Sequence, residues 1–240
     1  MSWGDTELAI VVPTYNEREN LPVVVERLWE LGLKLGLVVV DDGSPDGTGE
    51  LAEELAGRHK PMHVIHRPGK LGLGSAYREG FAWVLENTPA RLVGQMDADL
   101  SHDPRDVPRL VEVARTGAVA IGSRYVPGGG VRNWPWHRRL ISRMGSAYAR
   151  VVLGVGVRDL TGGFKCWPRQ ALEAINLGEV ISEGYAFQVE MTYRAIKAGF
   201  RVTEVPIVFT DRRLGSSKMS LAIALEAAWV VWAMRFRVGE

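Results

Sequence analysis

The sequence predicts an α/β fold in which one mostly parallel sheet carries helices on both faces. Three observations predict it. Apolar runs of strand length are continuous rather than alternating, as in strands buried on both sides. Stretches with helical spacing of apolar residues separate these runs. Each run ends in a polar cluster, and in open α/β sheets ligands bind outside the carboxyl ends of the strands. With 240 residues, 46% of them hydrophobic, the chain is long enough to bury one such core.

The elements follow in order. Leu8-Ala-Ile-Val-Val forms the first strand and runs into "PTYNE". Asn20 is placed to cap a helix with Pro22 in its first turn and Val24, Leu28 and Leu31 on one face. Leu35 to Val40 is the second strand, ending in the turn-rich "DDGSPDGTGE" before a helix around Leu51 to Ala56. Met62 to Ile65 is a short third strand, and "HRPGKLGLGSA" leads from it to a helix over Ser75 to Leu85. Arg91 to Met96 comes next, then a helix, then the strand Ala118 to Gly122.

The second half is less regular. "VPGGGVRNWPW" reads as a mobile Gly-rich loop tipped with Trp. A helix over His137 to Leu153 has a basic start in Arg138, Arg139 and Arg143. "DLTGGFKCW" follows, then a helix holding "GYAFQVEMTYRAIKAGF" and a late strand over Val202 to Phe209 that ends in "TDRRLGSSKMS". There is no internal repeat, low-complexity tract or clear interdomain linker.

Composition narrows the function. A formal net charge of +1 gives no reason to expect nucleic-acid binding. The one cysteine, Cys166, excludes an intrachain disulfide, cannot make a zinc site alone, and reads as a core residue. The histidines lack metal-ligand spacing such as HExxH. Met1 to Glu7 is polar and Leu8 to Val12 is too short for a secretion signal, so the chain is expected to stay in the cytosol. The most lipid-like stretch, Leu221 to Phe236, contains Glu226 and falls short of the ~20 apolar residues of a spanning helix.

The chemistry concentrates in "QMDADLSHDP", where an apolar run delivers Asp97 and Asp99 to a strand end. Two carboxylates so close repel unless a cation offsets them, and hard ions such as Mg²⁺ or Mn²⁺ take oxygen ligands while keeping room for water or phosphate. Such an ion suits a diphosphate leaving group. Asp42 suits a ribose or a base edge and equally a turn-stabilising role in Asp-Gly-Ser-Pro, while Tyr15 suits a ring and Glu17 a ribose hydroxyl. Arg124, Arg138 with Ser142 one turn on, Arg212 and Lys218 suit phosphate oxygens, although any one of them taken alone reads as ordinary solvated surface. "GKLGLG" lacks the spacing of a P-loop or a dinucleotide fingerprint and reads as a close-packed turn, with Lys70 near the ligand.

Together these residues resemble the inverting family-2 glycosyltransferases of GT-A fold, and within them the dolichol-phosphate (polyprenol-phosphate) mannosyltransferases. The resemblance runs from about Leu8 to Met219. It rests on "VVPTYNERENLP", "VVDDGSPDGTGE", "KLGLGSAYREG", "MDADLSHDP", "GSRYVPGG", "RRLISRMGSAYAR", "DLTGGFKCW", "GYAFQVEMTYRA" and "VPIVFTDRRLGSSKMS". The Arg-Arg-Leu-Ile-Ser helix and the Asp-Arg-x-x-Gly-x-Ser-Lys end are the pieces most specific to the polyprenol-phosphate branch.

The resemblance implies that Pro13, Tyr15, Glu17, Val40 and Asp42 line a nucleotide pocket. It implies that Asp97 and Asp99 meet the donor diphosphate and a Mg²⁺ or Mn²⁺ ion, with Ser101 at a metal position where some relatives carry Gln. Arg124, Arg138 and Ser142 would receive a lipid phosphate, and Arg212 and Lys218, on a closing loop, the donor diphosphate. Asp97, Asp99 and Arg124 would carry the catalysis. The implied reaction moves mannose from GDP-mannose to a polyprenyl phosphate with inversion. Residues 1–219 would form the catalytic domain and 220–240 an interfacial helix, with Leu221, Leu225, Trp229, Trp232 and Phe236 on one face. That helix would hold the protein at the cytoplasmic face of a membrane, alone or with an anchoring partner, or else pack on the protein's own core. Three alternatives remain open: a glucosyltransferase using UDP-glucose, a haloacid-dehalogenase-type phosphatase, and a non-catalytic nucleotide-sugar-binding subunit.

Overall fold

The computed structural model describes residues 2–211 and 229–236. Its main sheet has the strand order β3-β2-β1-β4-β7-β5-β8, with β1 at Leu8–Thr14, β2 at Leu35–Asp41, β3 at Met62–His66, β4 at Leu92–Gln95, β5 at Val119–Ser123, β7 at Lys165–Pro168 and β8 at Val202–Pro206. Within it, β7 alone runs antiparallel to its neighbours. A small parallel pair, β6 (Gly130–Arg132) and β9 (Val208–Thr210), lies beside it. The helices are α1 (Leu21–Trp29), α2 (Thr48–Arg58), α3 (Leu73–Asn87), α4 (Val107–Arg115), α5 (Trp136–Leu153), α6 (Arg169–Ala174) and α7 (Gly184–Lys197).

The continuous apolar runs are explained by two cores. Side chains alternate across a strand, so Ala9, Val11, Val38 and Val40 enter the core shared with α3, α6 and α7. Leu8, Ile10, Val12, Leu37 and Val39 enter the opposite core, with α1, α2 and α4. No face of β1 or β2 is left for polar residues. Helix α3 lies so close to β1 that a Cβ on Gly80 would sit 2.4 Å from Val11 Cγ1.

The register positions the site. β1 and β2 end level, with Thr14 paired to Asp41. β4 pairs with β1 only as far as Gln95 opposite Val11. The chain order reverses between β1 and β4, since β2 and β3 lie on one side and β4 on the other. Residues 96–99 therefore leave the sheet at a topological switch point, where α/β sheets open a crevice.

Four sequence expectations change. The stretch Val202 to Phe209 is two strands in two sheets, because Ile207 N–H turns to Ser123 O at 3.0 Å and Gly130 N–H reaches Ile207 O at 2.9 Å. The Gly-rich segment after Val126 is not a free loop: it contributes β6 and buries Trp134. The motif "DLTGGFKCW" holds β7, a strand the periodicity did not mark. Asn20 makes no capping hydrogen bond; its side chain donates to Glu17 Oε2 at 2.8 Å. Cys166 is buried on β7, and burial pushes its thiol pKa upward.

Residues 229–236 are helical. Val231 and Met234 are buried in the α3–α7 core, and Arg235 Nη1 donates to Val152 O at 2.6 Å at the end of α5. Trp229, Trp232 and Phe236 are exposed. The helix thus packs on the protein's own core through one face and presents aromatics on the other. Leu221 and Leu225 lie outside the described residues. Among the described residues, no helix is long and apolar enough to cross a membrane.

Candidate active site

A cavity of about 830 Å³ opens at the carboxyl ends of β1, β2 and β4. Pro13, Tyr15, Glu17, Asp42, Asp97, Asp99, Arg124 and Arg138 all line it, so one space collects residues spread over more than a hundred positions. Val40, Ser101 and Ser142 stand outside its wall. Val40 is fully buried in the core beside α3. Ser101 is buried behind Asp99, and both its N–H (3.0 Å) and its hydroxyl donate to Asp99 Oδ1. Ser142 accepts a hydrogen bond from the Tyr125 hydroxyl at 2.6 Å. Arg212 and Lys218 lie outside the described residues.

The nucleotide side is built from the tips of β1 and β2. Asp41, not Asp42, stabilises the Asp-Gly-Ser-Pro turn: it accepts from Ser44 N–H (2.9 Å) and Ser44 Oγ (2.6 Å), and Thr14 Oγ1 ties β1 to it at 2.9 Å. Asp42 organises a different turn. Its Oδ2 accepts from the N–H groups of Leu71 and Gly72, both at 3.1 Å, while Oδ1 pairs with the buried Arg67 guanidinium. Arg67 in turn donates to Ser75 Oγ at 2.7 Å, so the "GKLGLG" turn is fastened to β2. Lys70, on that turn, sets its ammonium 3.7 Å from the centre of the Tyr15 ring. The glycines serve close packing: a Cβ on Gly72 would meet Glu183 Oε2 at 2.7 Å, and Glu183 accepts from the N–H groups of Gly74 and Ser75 at 2.7 and 2.9 Å.

At the centre, Asp97 Oδ1 accepts a hydrogen bond from Tyr77 at 2.9 Å, and Asp97 N–H donates to His102 Nδ1 at 3.2 Å. Burial, and then the Asp97 charge, push the Tyr77 phenol well above its ordinary pKa, so it stays a donor. Beneath lies a relay: Trp167 Nε1 donates to Gln95 Oε1 at 3.1 Å, and Gln95 Nε2 to Gln188 Oε1 at 2.6 Å. Gln188 reaches the cavity wall.

The basic side differs from expectation in one respect. Arg124 is buried and already paired. Its Nε and Nη2 donate to Asp159 at 2.8 and 2.6 Å, its own N–H donates to Asp159 Oδ2 at 2.8 Å, and Nη2 also reaches Thr161 Oγ1 at 2.9 Å. Burial pulls the guanidinium pKa down, but Asp159 outweighs it and the net shift is upward. Arg138 is partly exposed, donates to Asp211 at 2.8 Å, and stacks 4.2 Å from the centre of the Trp134 ring. Among the described residues, no three His, Cys, Asp or Glu side chains converge as a metal cage.

Sequence reasoning missed Tyr77, Asp159, Trp134 and Gln188. Tyr77, Asp159 and Gln188 lie within quoted motifs, and Trp134 within the stretch read as a loop. The side-chain partners of Tyr77, Asp159 and Gln188 at the site are 20, 35 and 93 positions away, so spacing carried no signal.

A sheet with carboxylates at its switch point and arginines across one cavity defines an α/β enzyme that handles anionic ligands. Residues 9–175 match glycosyl transferase family 2. The chain is 51% identical over 233 residues to polyprenol monophosphomannose synthase of Mycolicibacterium smegmatis, covering 95% of this chain and 88% of that protein. It is 48% identical over 217 residues to undecaprenyl-phosphate mannosyltransferase of Micrococcus luteus, covering 90% and 89%. Among solved structures, glucosyl-3-phosphoglycerate synthase of Mycobacterium tuberculosis with phosphoglyceric acid superposes with a TM-score of 0.67 at 20% identity, over 98% of this chain and 80% of that one. The same enzyme with Mn²⁺, UDP-glucose and glycerol 3-phosphate gives 0.65 at 21% identity, with the same coverage. These structures share the fold. The chain belongs to glycosyl transferase family 2.

Proposed function

We propose that the chain transfers mannose from GDP-mannose to a polyprenyl phosphate, giving polyprenyl phosphate mannose and GDP with inversion at the anomeric carbon. The observation that carries this reading is the single cavity shared by the two-carboxylate tip of β4, the nucleotide-side residues Tyr15, Glu17 and Asp42, and Arg124 and Arg138. The names of the two curated relatives support mannose and a polyprenyl phosphate acceptor.

The residues fit a divalent ion of the Mg²⁺ or Mn²⁺ type. Asp97 and Asp99 both line the cavity, and hard ions at phosphate sites are held in this way, through one or two protein carboxylates with water and substrate phosphate completing the shell. Asp97 and Asp99 would hold it, Ser101 orienting Asp99; when bound, it stabilises charge on the departing diphosphate. The remaining steps belong to side chains. Tyr15, Glu17 and Asp42 hold the nucleoside, and Arg212 and Lys218 contact the diphosphate. Arg138 receives the acceptor phosphate, with Arg124 fixing the wall beside it and Ser142, one helical turn on, held by the Tyr125 hydroxyl. A phosphate monoester, with a second pKa of about 6, is largely ionised near neutrality and attacks directly. The protein's task is to hold two anions in line and screen their repulsion.

The acceptor places the enzyme at a membrane surface. Helix α5 exposes Trp136, Leu140, Met144 and Val151 together with Arg139, Arg143 and Arg150. Beside its end, residues 229–236 expose Trp229, Trp232 and Phe236. Aromatic, aliphatic and basic groups on one surface suit an anionic bilayer interface. In this reading residues 1–219 are the catalytic unit and 220–240 an interfacial helix at the cytoplasmic leaflet, with or without an anchoring protein.

The test is a radiolabel transfer assay with GDP-mannose, GDP-glucose, UDP-glucose and UDP-galactose, a short polyprenyl phosphate, and EDTA or added metal. Lipid labelling from GDP-mannose alone, abolished by EDTA and by Asp99→Ala in a folded protein, is the expected result. Equal labelling by Asp99→Ala removes the role of the acidic pair.

A further inference from the structure

Tyr77 has no exposed surface, and its ring stacks with those of Phe81 (5.6 Å) and Phe187 (5.8 Å). Phenylalanine would fill that core position as well. The hydroxyl is what distinguishes this residue: it leaves the apolar core of α3 and donates to one oxygen, Asp97 Oδ1, at 2.9 Å. Asp97 is held from a second side through its N–H, which donates to His102 Nδ1. The other carboxylate oxygen, Oδ2, borders a space that a side chain at position 163 would enter. A Cβ on Gly163 would lie 3.6 Å from Asp97 Oδ2 and 3.5 Å from Gln188 Nε2. One oxygen is tied to the core and the other borders that space.

We propose that Tyr77 is a positioning residue for Asp97: it pins Oδ1 so that Oδ2 is presented to the donor diphosphate and its divalent ion. This rests on the role given to Asp97 above. The physical reason is freedom of rotation. A carboxylate turns easily about its last torsion, with broad and roughly two-fold preferences. A donor fixed in the core removes that freedom before substrate arrives, and partners of metal ligands set both orientation and affinity.

The experiment compares wild type, Tyr77→Phe and Asp97→Asn by Mn²⁺ titration in the presence of GDP, followed by electron paramagnetic resonance, alongside transfer kinetics at varied Mn²⁺. Tyr77→Phe keeps the ring stack and is expected to melt close to wild type. It should bind Mn²⁺ about 10- to 100-fold more weakly, with the rate partly restored by excess Mn²⁺. Wild-type Mn²⁺ affinity in folded Tyr77→Phe overturns the proposal while leaving Asp97 in place. Wild-type affinity in Asp97→Asn overturns the reading of Asp97 itself. Should Tyr77→Phe fail to fold, the fluorine resonance of an enzyme carrying 3-fluorotyrosine at position 77 alone decides. Mg²⁺ added to the GDP complex should shift it, Asp97→Asn should abolish the change, and an unshifted resonance overturns the proposal.

Discussion

Replacing Asp159 by alanine tests the electrostatic architecture most directly. Asp159 is fully buried and receives Arg124 through three hydrogen bonds of 2.6 to 2.8 Å, while the Arg124 side chain is only 6% exposed. Removing one partner of a buried pair leaves a largely desolvated charge without its counter-ion, at a cost of about 3–5 kcal/mol. For a chain of this size 1 kcal/mol moves Tm by about 2–4 °C, so the expected drop is about 6–20 °C. Urea unfolding followed by tryptophan fluorescence, with calorimetry beside it, measures this. Glu173→Ala, which breaks the half-exposed pair with Arg169, is the contrast and should cost about 0–1 kcal/mol. The double variant Arg124→Met with Asp159→Leu should recover most of the loss, because it removes the orphaned charge as well as its partner. A loss below about 1 kcal/mol for Asp159→Ala would refute the reasoning, since it would mean that the guanidinium reaches water or another acceptor once its carboxylate is gone.

Four further outcomes are expected. Arg138→Ala, which removes the more accessible guanidinium, should raise the KM for polyprenyl phosphate about 10- to 100-fold and leave that for GDP-mannose unchanged; a shift in the nucleotide-sugar KM instead would misplace the residue. Burial holds the Lys165 pKa at about 7, below the 10.5 of an unperturbed lysine. The unfolded chain therefore binds more protons between those values, and this group makes stability rise with pH across that window by about 1.4 kcal/mol per unit. Lys165→Met should flatten the rise in urea midpoints between about pH 7 and pH 9.5, and parallel curves would contradict it. Gly80→Ala drives a Cβ to 2.4 Å from Val11 Cγ1 and 3.1 Å from Val40 Cγ2, which should cost about 1–3 kcal/mol by overpacking, read from thermal melts. Trp232→Ser with Phe236→Ser should weaken flotation with anionic vesicles roughly tenfold or more, and undiminished flotation would remove that face from the membrane contact.

What was legible in the sequence follows from how far each interaction reaches along the chain. Strands β1, β2 and β4 show as apolar runs because both of their faces are buried, and a ligand-binding crevice sits at strand ends, so Tyr15, Glu17, Asp42, Asp97 and Asp99 could be found one strand at a time. Strand β7 escaped because it begins with Lys165, a charge that pattern reasoning assigns to the surface. In the fold Lys165 is buried and its ammonium donates to Gln188 O at 2.8 Å and Thr192 Oγ1 at 2.9 Å. The three residues of β6 begin at the last of three consecutive glycines, and only pairing with β9, almost eighty positions on, makes them a strand.

The two aspartates at the end of β2 show the same limit at atomic scale. Their sequence context is shared, yet Asp41 turns toward Ser44 and Asp42 toward Arg67 and the Leu71–Gly72 amides. Neighbours within three positions explain the first, and only the fold explains the second. Arg124 repeats the lesson with a consequence for function. Its motif marks it as a phosphate ligand like Arg138, but Asp159, 35 positions away, already engages its Nε and Nη2. The two arginines are therefore unequal in the structure: Arg124 is a buried, fixed part of the wall, whereas Arg138 is partly exposed over Trp134 and paired with the partly exposed Asp211, so in the proposed reaction Arg138 is the one whose charge an incoming phosphate would meet.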